Sequence, residues 1–227
     1  MSEMAYQIST WILPALIAIT LHEAAHGFVA SMLGDDTAKR LGRVTFNPLK
    51  HVDPFGTIIL PAMLLLASGG RMMFGFAKPV PVNFSRLRRP RRDMVLVAAA
   101  GPGINIAMAI TAAAALTLIP VLPGAGLEWI GYNLFNAVWL NVLLAVFNML
   151  PLPPLDGGRV AVGLLPDVLA EPLSRLERYG FLIILGIVFV LPLLASQVGV
   201  ELGIINWLVL RPAEFVSRLI FSMVGFS

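Results

Sequence analysis

The sequence predicts an all-α polytopic membrane protein of about five to six transmembrane helices, with a short cytoplasmic-side β-hairpin and a re-entrant segment. Three observations lead there. Of 227 residues, 58% are hydrophobic and 13% charged, where a soluble chain carries about 25% charged residues. Mean hydropathy is +0.84, and the apolar residues fall in blocks long enough to cross a bilayer at ~20 residues per span. The basic residues are clustered, eleven of the sixteen Lys and Arg lying between Lys39 and Arg92. At this length the chain has room for about six crossings and their loops, so a single membrane-embedded domain over 1–227 is expected. Its core would cover about 8–165 and its C-terminal helices about 178–227. A pI near 9.7 reads as an orientation signal in such a chain, and no nucleic-acid partner is expected. Without cysteine, disulfides and thiolate metal ligands are excluded, and any transition metal must be held by His, Asp or Glu.

The first block, from about Ile8 to Leu33, is long enough to span with tilt and lacks the basic start of a cleavable signal, so it is expected to remain as the first helix. The alternation in Arg40-Leu41-Gly42-Arg43-Val44-Thr45-Phe46, closed by Asn47-Pro48, predicts a short strand at its cytoplasmic end. Gly56 to Ser68 is apolar but only about 13 residues long, closer to a re-entrant segment than to a crossing. Lys39, Arg40, Arg43 and Lys50 precede it, and Arg71, Lys78 and the run Arg86 to Arg92 follow, which predicts both flanks on the cytoplasmic side. Met94 to about Val121 and Tyr132 to Leu150 form a central pair, joined by an external loop with one acid, Glu128, and no base. Phe181 to about Ala195 is a fourth span that Pro192 bends or ends. Leu202 to Phe226 carries Arg211, Pro212, Glu214 and Arg218 in its middle, which suits an interfacial helix as well as a crossing. Met72, Met73, Phe74 and Phe76 read as interfacial filler, and the arginines from Arg86 to Arg92 as a topology signal in contact with anionic lipid.

His22-Glu23-Ala24-Ala25-His26 lies inside the first span. The i, i+4 spacing puts both imidazoles on one helical face, where they can share a zinc ion, and sets Glu23 beside it as a general base for water. Ionisable groups within a span cost a few kcal/mol each and usually mark function. Zinc needs a third protein ligand, and the position six residues after His26 is Met32, so that ligand is expected from another segment. Asp35 and Asp36 read as loop solvating groups after Gly34, and Asp93 as a helix N-terminal charge. His51 and Asp53, ahead of the re-entrant segment, are rivals for the metal. Asp156 follows the break Pro151-Leu152-Pro153-Pro154 at the cytoplasmic end of its helix, in the leaflet that also holds His26. Its alternative reading is a cap on the short helix Gly157 to Leu165. Gly101 and Gly103, with Ala98 to Ala100, read as a close-packing face.

Three motifs in order, His22-Glu23-Ala24-Ala25-His26, Gly101-Pro102-Gly103-Ile104-Asn105, and Asn148 through Leu155-Asp156-Gly157, resemble the site-2 protease family of intramembrane zinc metalloproteases. The segments Asn47 to Thr57 and Ala77 to Val82 resemble its short form, which lacks PDZ and CBS domains. The resemblance runs from the first helix to about Arg159. It implies His22, His26 and Asp156 as ligands of one Zn2+, Glu23 as catalytic acid and base, and Asn105 and Asn148 in holding substrate or stabilising the oxyanion. It also implies a multi-pass protein of a prokaryotic inner membrane, with the active site toward the cytoplasm. The substrate would be another membrane protein, cut in or near a transmembrane segment after an earlier external cut by a site-1-type protease.

The function expected is therefore that of an intramembrane zinc endopeptidase, the alternative being a membrane metal-ion transporter that uses the same His and Asp site. A transporter would show a pathway to both faces and repeated halves, and neither is visible in the sequence. A further expectation concerns Arg40 to Phe46: as a strand beside the site, it would offer an edge to which an unwound substrate pairs.

Overall fold

The computed structural model describes every residue except 1–2, 68–74, 76, 122, 125, 198, 200–201 and 227, and the side chains of 4, 58, 61 and 65. Ser68, Arg71, Met72, Met73, Phe74 and Phe76, given roles above, lie outside the described residues. Among the described residues every regular element is a helix. The first, α1, runs Glu3–Met32, about 45 Å at 1.5 Å per residue, longer than the ~30 Å of a hydrocarbon core. It packs with α4 (Pro90–Leu116) and α5 (Leu127–Asn148) as a three-helix unit. Small residues permit the close approach: Ala18, Ala24 and Ala30 on α1 and Ala98, Ala109 and Ala113 on α4 are buried.

Four helices are long and apolar enough to cross a membrane: Ala5–Met32, Pro90–Val121, Leu127–Asn148 and Glu177–Gln197. The chain is thus a multi-pass membrane protein with four candidate crossings among the described residues. The other two candidates fall short for visible reasons. Leu60–Ala67 (α3), with the wide π turn Pro54–Ile59 before it, is too short. Arg211–Met223 (α10) carries Arg211, Glu214 and Arg218, and buries Ala213, Ser217 and Ile220 against α4 and α5. There it meets Ala109, Ala112, Ala113, Val138 and Val142.

Ahead of Pro192 the regular α-helix is interrupted by a π turn. The fourth crossing follows the short helix α7 (Asp167–Arg175) and is built of α8 (Glu177–Leu185), a π turn over Gly186–Val190 and α9 (Leu191–Gln197). A second π turn, Asn206–Leu210, stands in the same relation to Pro212. Proline lacks the N–H that would bond the carbonyl four residues back, and its ring crowds that carbonyl, so a widened turn relieves both.

The β-hairpin expected around Arg40 to Phe46 finds no counterpart among the described residues. Thr37–Arg40 is instead a one-turn helix, α2. Gly42, at φ +64°, ends it as the left-handed residue, with Arg43 N–H donating to Ala38 O at 2.9 Å and Gly42 N–H to Lys39 O at 3.0 Å. This paired closure consumes the N–H groups that Gly42 and Arg43 would have offered to a strand. Residues 77–83 run without regular structure as a strap along the end of α1. Lys78 N–H donates to His51 O at 2.9 Å, Arg43 Nη2 donates to Lys78 O at 2.8 Å, and Asn83 N–H donates to Asp35 Oδ2 at 2.6 Å.

Candidate metal centre

The site is assembled from α1, α4 and the start of α6 (Asp156–Leu164). His22 and His26, one turn apart on α1, are 7% and 9% exposed, and their Nε2 atoms stand 3.1 Å apart. Asp156 Oδ2 lies 3.1 Å from His22 Nε2 and 3.4 Å from His26 Nε2. Among the described residues these three form the group able to hold a metal ion, their ligand atoms within 4.8 Å of one another.

The donor set fits a cation. His26 Nδ1 sits 2.7 Å from Val97 O, a carbonyl that can only accept, so the proton is on Nδ1 and Nε2 presents a lone pair. His22 Nδ1 sits 2.5 Å from Asn105 Oδ1, which sets the same tautomer. Asp156 Oδ2 is buried with no hydrogen-bond partner. The two Nε2 atoms and Asp156 Oδ2 thus converge on one buried point, a donor set suited to a shared cation. Gly101 leaves the space: a Cβ there would lie 2.5 Å from His26 Nε2 and 2.6 Å from His22 Nε2.

Asp156 reaches the histidines because the chain turns sharply after α5. Leu152 N–H donates to Leu150 O at 2.7 Å and Leu155 N–H to Leu152 O at 3.0 Å. Gly157 and Gly158 pack directly on Met149 O, Leu152 and Pro153, where a Cβ would collide with backbone. Asp156 is the first residue of α6, with Leu155 at the cap position, and its Oδ2 is turned to the two imidazoles.

The rivals are occupied elsewhere. Asp53 accepts from Phe55 N–H at 3.0 Å and Gly56 N–H at 2.7 Å, capping the turn that follows. His51 Nε2 lies 3.2 Å from Thr45 O, beside the strap. Asp93 accepts from Arg89 N–H at 2.8 Å, as a helix N-terminal acid should. Asp35 is not a solvating group: it is fully buried and accepts from Asn83 N–H, Thr37 N–H and the Thr37 hydroxyl. Burial pushes its carboxyl up, but these donors hold it below the ordinary aspartate range. Arg91, read only as part of a basic run, donates to Gly163 O and Leu165 O and pairs with Asp167 at 2.6 Å, closing the C-terminal end of α6.

Glu23 is half-buried, and its Oε2 accepts from Val80 N–H at 2.7 Å, which ties the carboxylate to the strap. Asn148 Nδ2 donates to Leu144 O at 3.0 Å, within its own helix. Asn105, 0% exposed, is engaged by His22, by Asn141 and by Ala18 O. Sequence reasoning missed Gly101, Val97 O, Val80 and Asn141 as parts of this centre. For Gly101 and Asn141 a signal existed: Gly101 stands one turn before Asn105 on the same face, and Asn141 is a polar residue in mid-span.

Residues 123–193 match the family model of peptidase family M50. The candidate zinc metalloprotease YwhC of Bacillus subtilis (strain 168) is 42% identical over 200 residues, which cover 85% of this chain and 84% of that protein. The chain belongs to peptidase family M50. A second relative, the candidate zinc metalloprotease Rip2 of Mycolicibacterium smegmatis, is 32% identical over 170 residues, covering 74% of this chain and 62% of that protein. The regulator of sigma-W protease RasP of Bacillus subtilis is 35% identical over 63 residues, 27% of this chain and 15% of that protein. No solved structure matches the chain. As an M50 member with four apolar helices, it is an intramembrane zinc metalloprotease, and nothing in these relatives supports a metal transporter.

Proposed function

We propose that His22, His26 and Asp156 hold the catalytic Zn2+ and that Glu23 is the acid and base of an endopeptidase that cuts in or near transmembrane segments of other membrane proteins. The observation that carries the reading is the convergence of three ligand atoms, from two helices far apart in sequence, behind Gly101. Bound there, zinc would polarise a carbonyl and make water nucleophilic at neutral pH. Glu23, one residue round the helix from His22 and anchored by Val80 N–H, takes a proton from the attacking water and returns one to the leaving amine nitrogen. Asn148, in the last turn of α5 ahead of the Asp156 loop, is assigned to holding substrate. Asn105, fully buried and bonded to His22, Asn141 and Ala18 O, is assigned to the centre through His22.

The orientation follows from charge: with Lys50 and Arg86 on one side, the segment Pro54 to Ala67 dips into the membrane and returns, and the site opens to the cytoplasm. An inner-membrane location, anionic lipid around Arg86 to Arg92, and a substrate already shortened by an external site-1-type protease complete the reading. The deciding experiment is Glu23→Gln in the purified protein. Zinc stoichiometry should match the parent while cleavage of a transmembrane substrate is abolished. Loss of zinc would make Glu23 a ligand, and retained cleavage would remove it from the chemistry.

A further inference from the structure

We infer that Asn141, a mid-span residue of α5 distant in sequence from every metal ligand, is a positioning residue that sets the tautomer of His22 through the carboxamide of Asn105. The inference rests on the reading of His22 as a zinc ligand.

The chain of bonds has a direction, and a backbone carbonyl fixes it. Asn141 Nδ2 donates to Ala137 O, one turn back on α5, at 2.8 Å. A carbonyl can only accept, so the Asn141 amide group must face it and Oδ1 must face the other way. That oxygen receives Asn105 Nδ2 at 2.7 Å. A second carbonyl, Ala18 O on α1, stands 3.4 Å from the same Nδ2 and favours the same orientation. With its amino group so committed, Asn105 can present only Oδ1 to His22 Nδ1, 2.5 Å away. The imidazole must then carry its proton on Nδ1, which leaves Nε2 as the lone pair aimed at Asp156 and His26. Reversing either amide would set acceptor against acceptor at Ala137 O or Ala18 O.

Burial gives the relay its force. Asn105 is 0% and Asn141 2% exposed, so no water is at hand to satisfy a wrongly turned amide, and a mispaired polar group at this depth is costly. His26 obtains the same tautomer from one carbonyl, Val97 O. His22 Nδ1 meets the Asn105 carboxamide instead, and the two asparagines carry the polarity of Ala137 O to it. Groups that orient a metal-bound histidine through its second nitrogen typically change metal affinity by about 10–100-fold when removed.

The same two asparagines could simply bind α4 to α5, and the test separates that role. In purified protein, zinc affinity is read by chelator competition and site geometry by the visible absorption of the Co2+ form, with thermal stability followed alongside. Asn141→Leu should weaken zinc binding roughly tenfold and alter the Co2+ spectrum. Asn141→Ser, which can still donate back along its own helix but is too short for Asn105, should do the same with a smaller change in packing. Asn136→Leu is the control: Asn136 is also buried on α5 but donates to Thr10 O at 3.0 Å, and its loss should cost stability without moving zinc affinity. The Asn105→Leu, Asn141→Leu pair should bind zinc no more weakly than Asn105→Leu alone, since one acts through the other.

Parental zinc affinity in both Asn141→Leu and Asn141→Ser overturns the inference, as does additivity in the double variant. His22→Ala separates the two readings. If it keeps parental zinc affinity, the ligand assignment falls and this inference with it; if it loses zinc while Asn141→Leu does not, only the inference falls.

Discussion

Gly101 shows how a residue without a side chain can decide a metal centre. Its α-carbon faces both imidazoles so closely that one added methyl would occupy the place where His22 and His26 present their nitrogens. Gly103, two residues on, faces open space, with nothing within 4 Å of where a Cβ would stand. Gly101→Ala should therefore abolish zinc binding and cleavage together, while Gly103→Ala should keep both, and metal analysis of the two purified variants checks it. Zinc retained in Gly101→Ala would mean that the histidines have room elsewhere. The sequence makes His22, Glu23 and His26 legible because i, i+4 spacing is a local property of one helix. For Gly101 it shows only a place on the face of Asn105, one turn away, and that its missing side chain makes room for two imidazoles is visible only in the fold.

At the scale of elements, Asp35 joins the end of α1 to the strap through Asn83 and to α2 through Thr37. Hydrogen bonds to a charged group contribute about 1.5–3 kcal/mol, so Asp35→Ala should destabilise the protein by about 3 kcal/mol at neutral pH. The folded-state carboxyl lies below its ordinary value, so the unfolded chain binds the proton more readily. The stabilisation is then complete above the unfolded pKa, about pH 4, and is lost as pH falls through the lower folded value. Thermal denaturation in detergent across that range should show parent and Asp35→Ala converging in acid. A gap that does not change with pH would mean the contact does not depend on the ionised form. In the sequence Asp35 reads as part of a solvated loop because two adjacent acids after Gly34 look like surface. Burial of the first depends on the strap, whose path along α1 is a tertiary matter.

For the whole molecule the prediction is topological. Lys50 and Arg86 are both exposed and flank the short segment that includes α3. In this cysteine-free chain, Lys50→Cys and Arg86→Cys should both resist an impermeant external thiol reagent in intact cells and react once the membrane is opened. Labelling of one alone would turn the segment into a crossing and reverse the sidedness of everything after it. Within the membrane, α1, α4 and α5 pack as one unit, and α10 packs on α4 and α5 through Ala213 and Ile220.

The four crossings, the zinc motif and the candidacy of Asp156 are determined by the sequence itself, because hydropathy, helical spacing and proline breaks act over distances of a few residues. A count of five to six spans exceeds the four candidate crossings because apolar content does not distinguish a crossing from α3, which is too short, or from α10, which carries Arg211, Glu214 and Arg218. Alternation over Arg40 to Phe46 suggests a strand, but it competes with Gly42, whose left-handed conformation closes α2 instead. Only the tertiary structure decided that His51 and Asp53 serve their own turns, that Asn105 faces His22, and that Asn141 stands behind it. The last two relations join residues 83 and 36 positions apart, and at such separations a partner is chosen by helix packing, which no local pattern encodes.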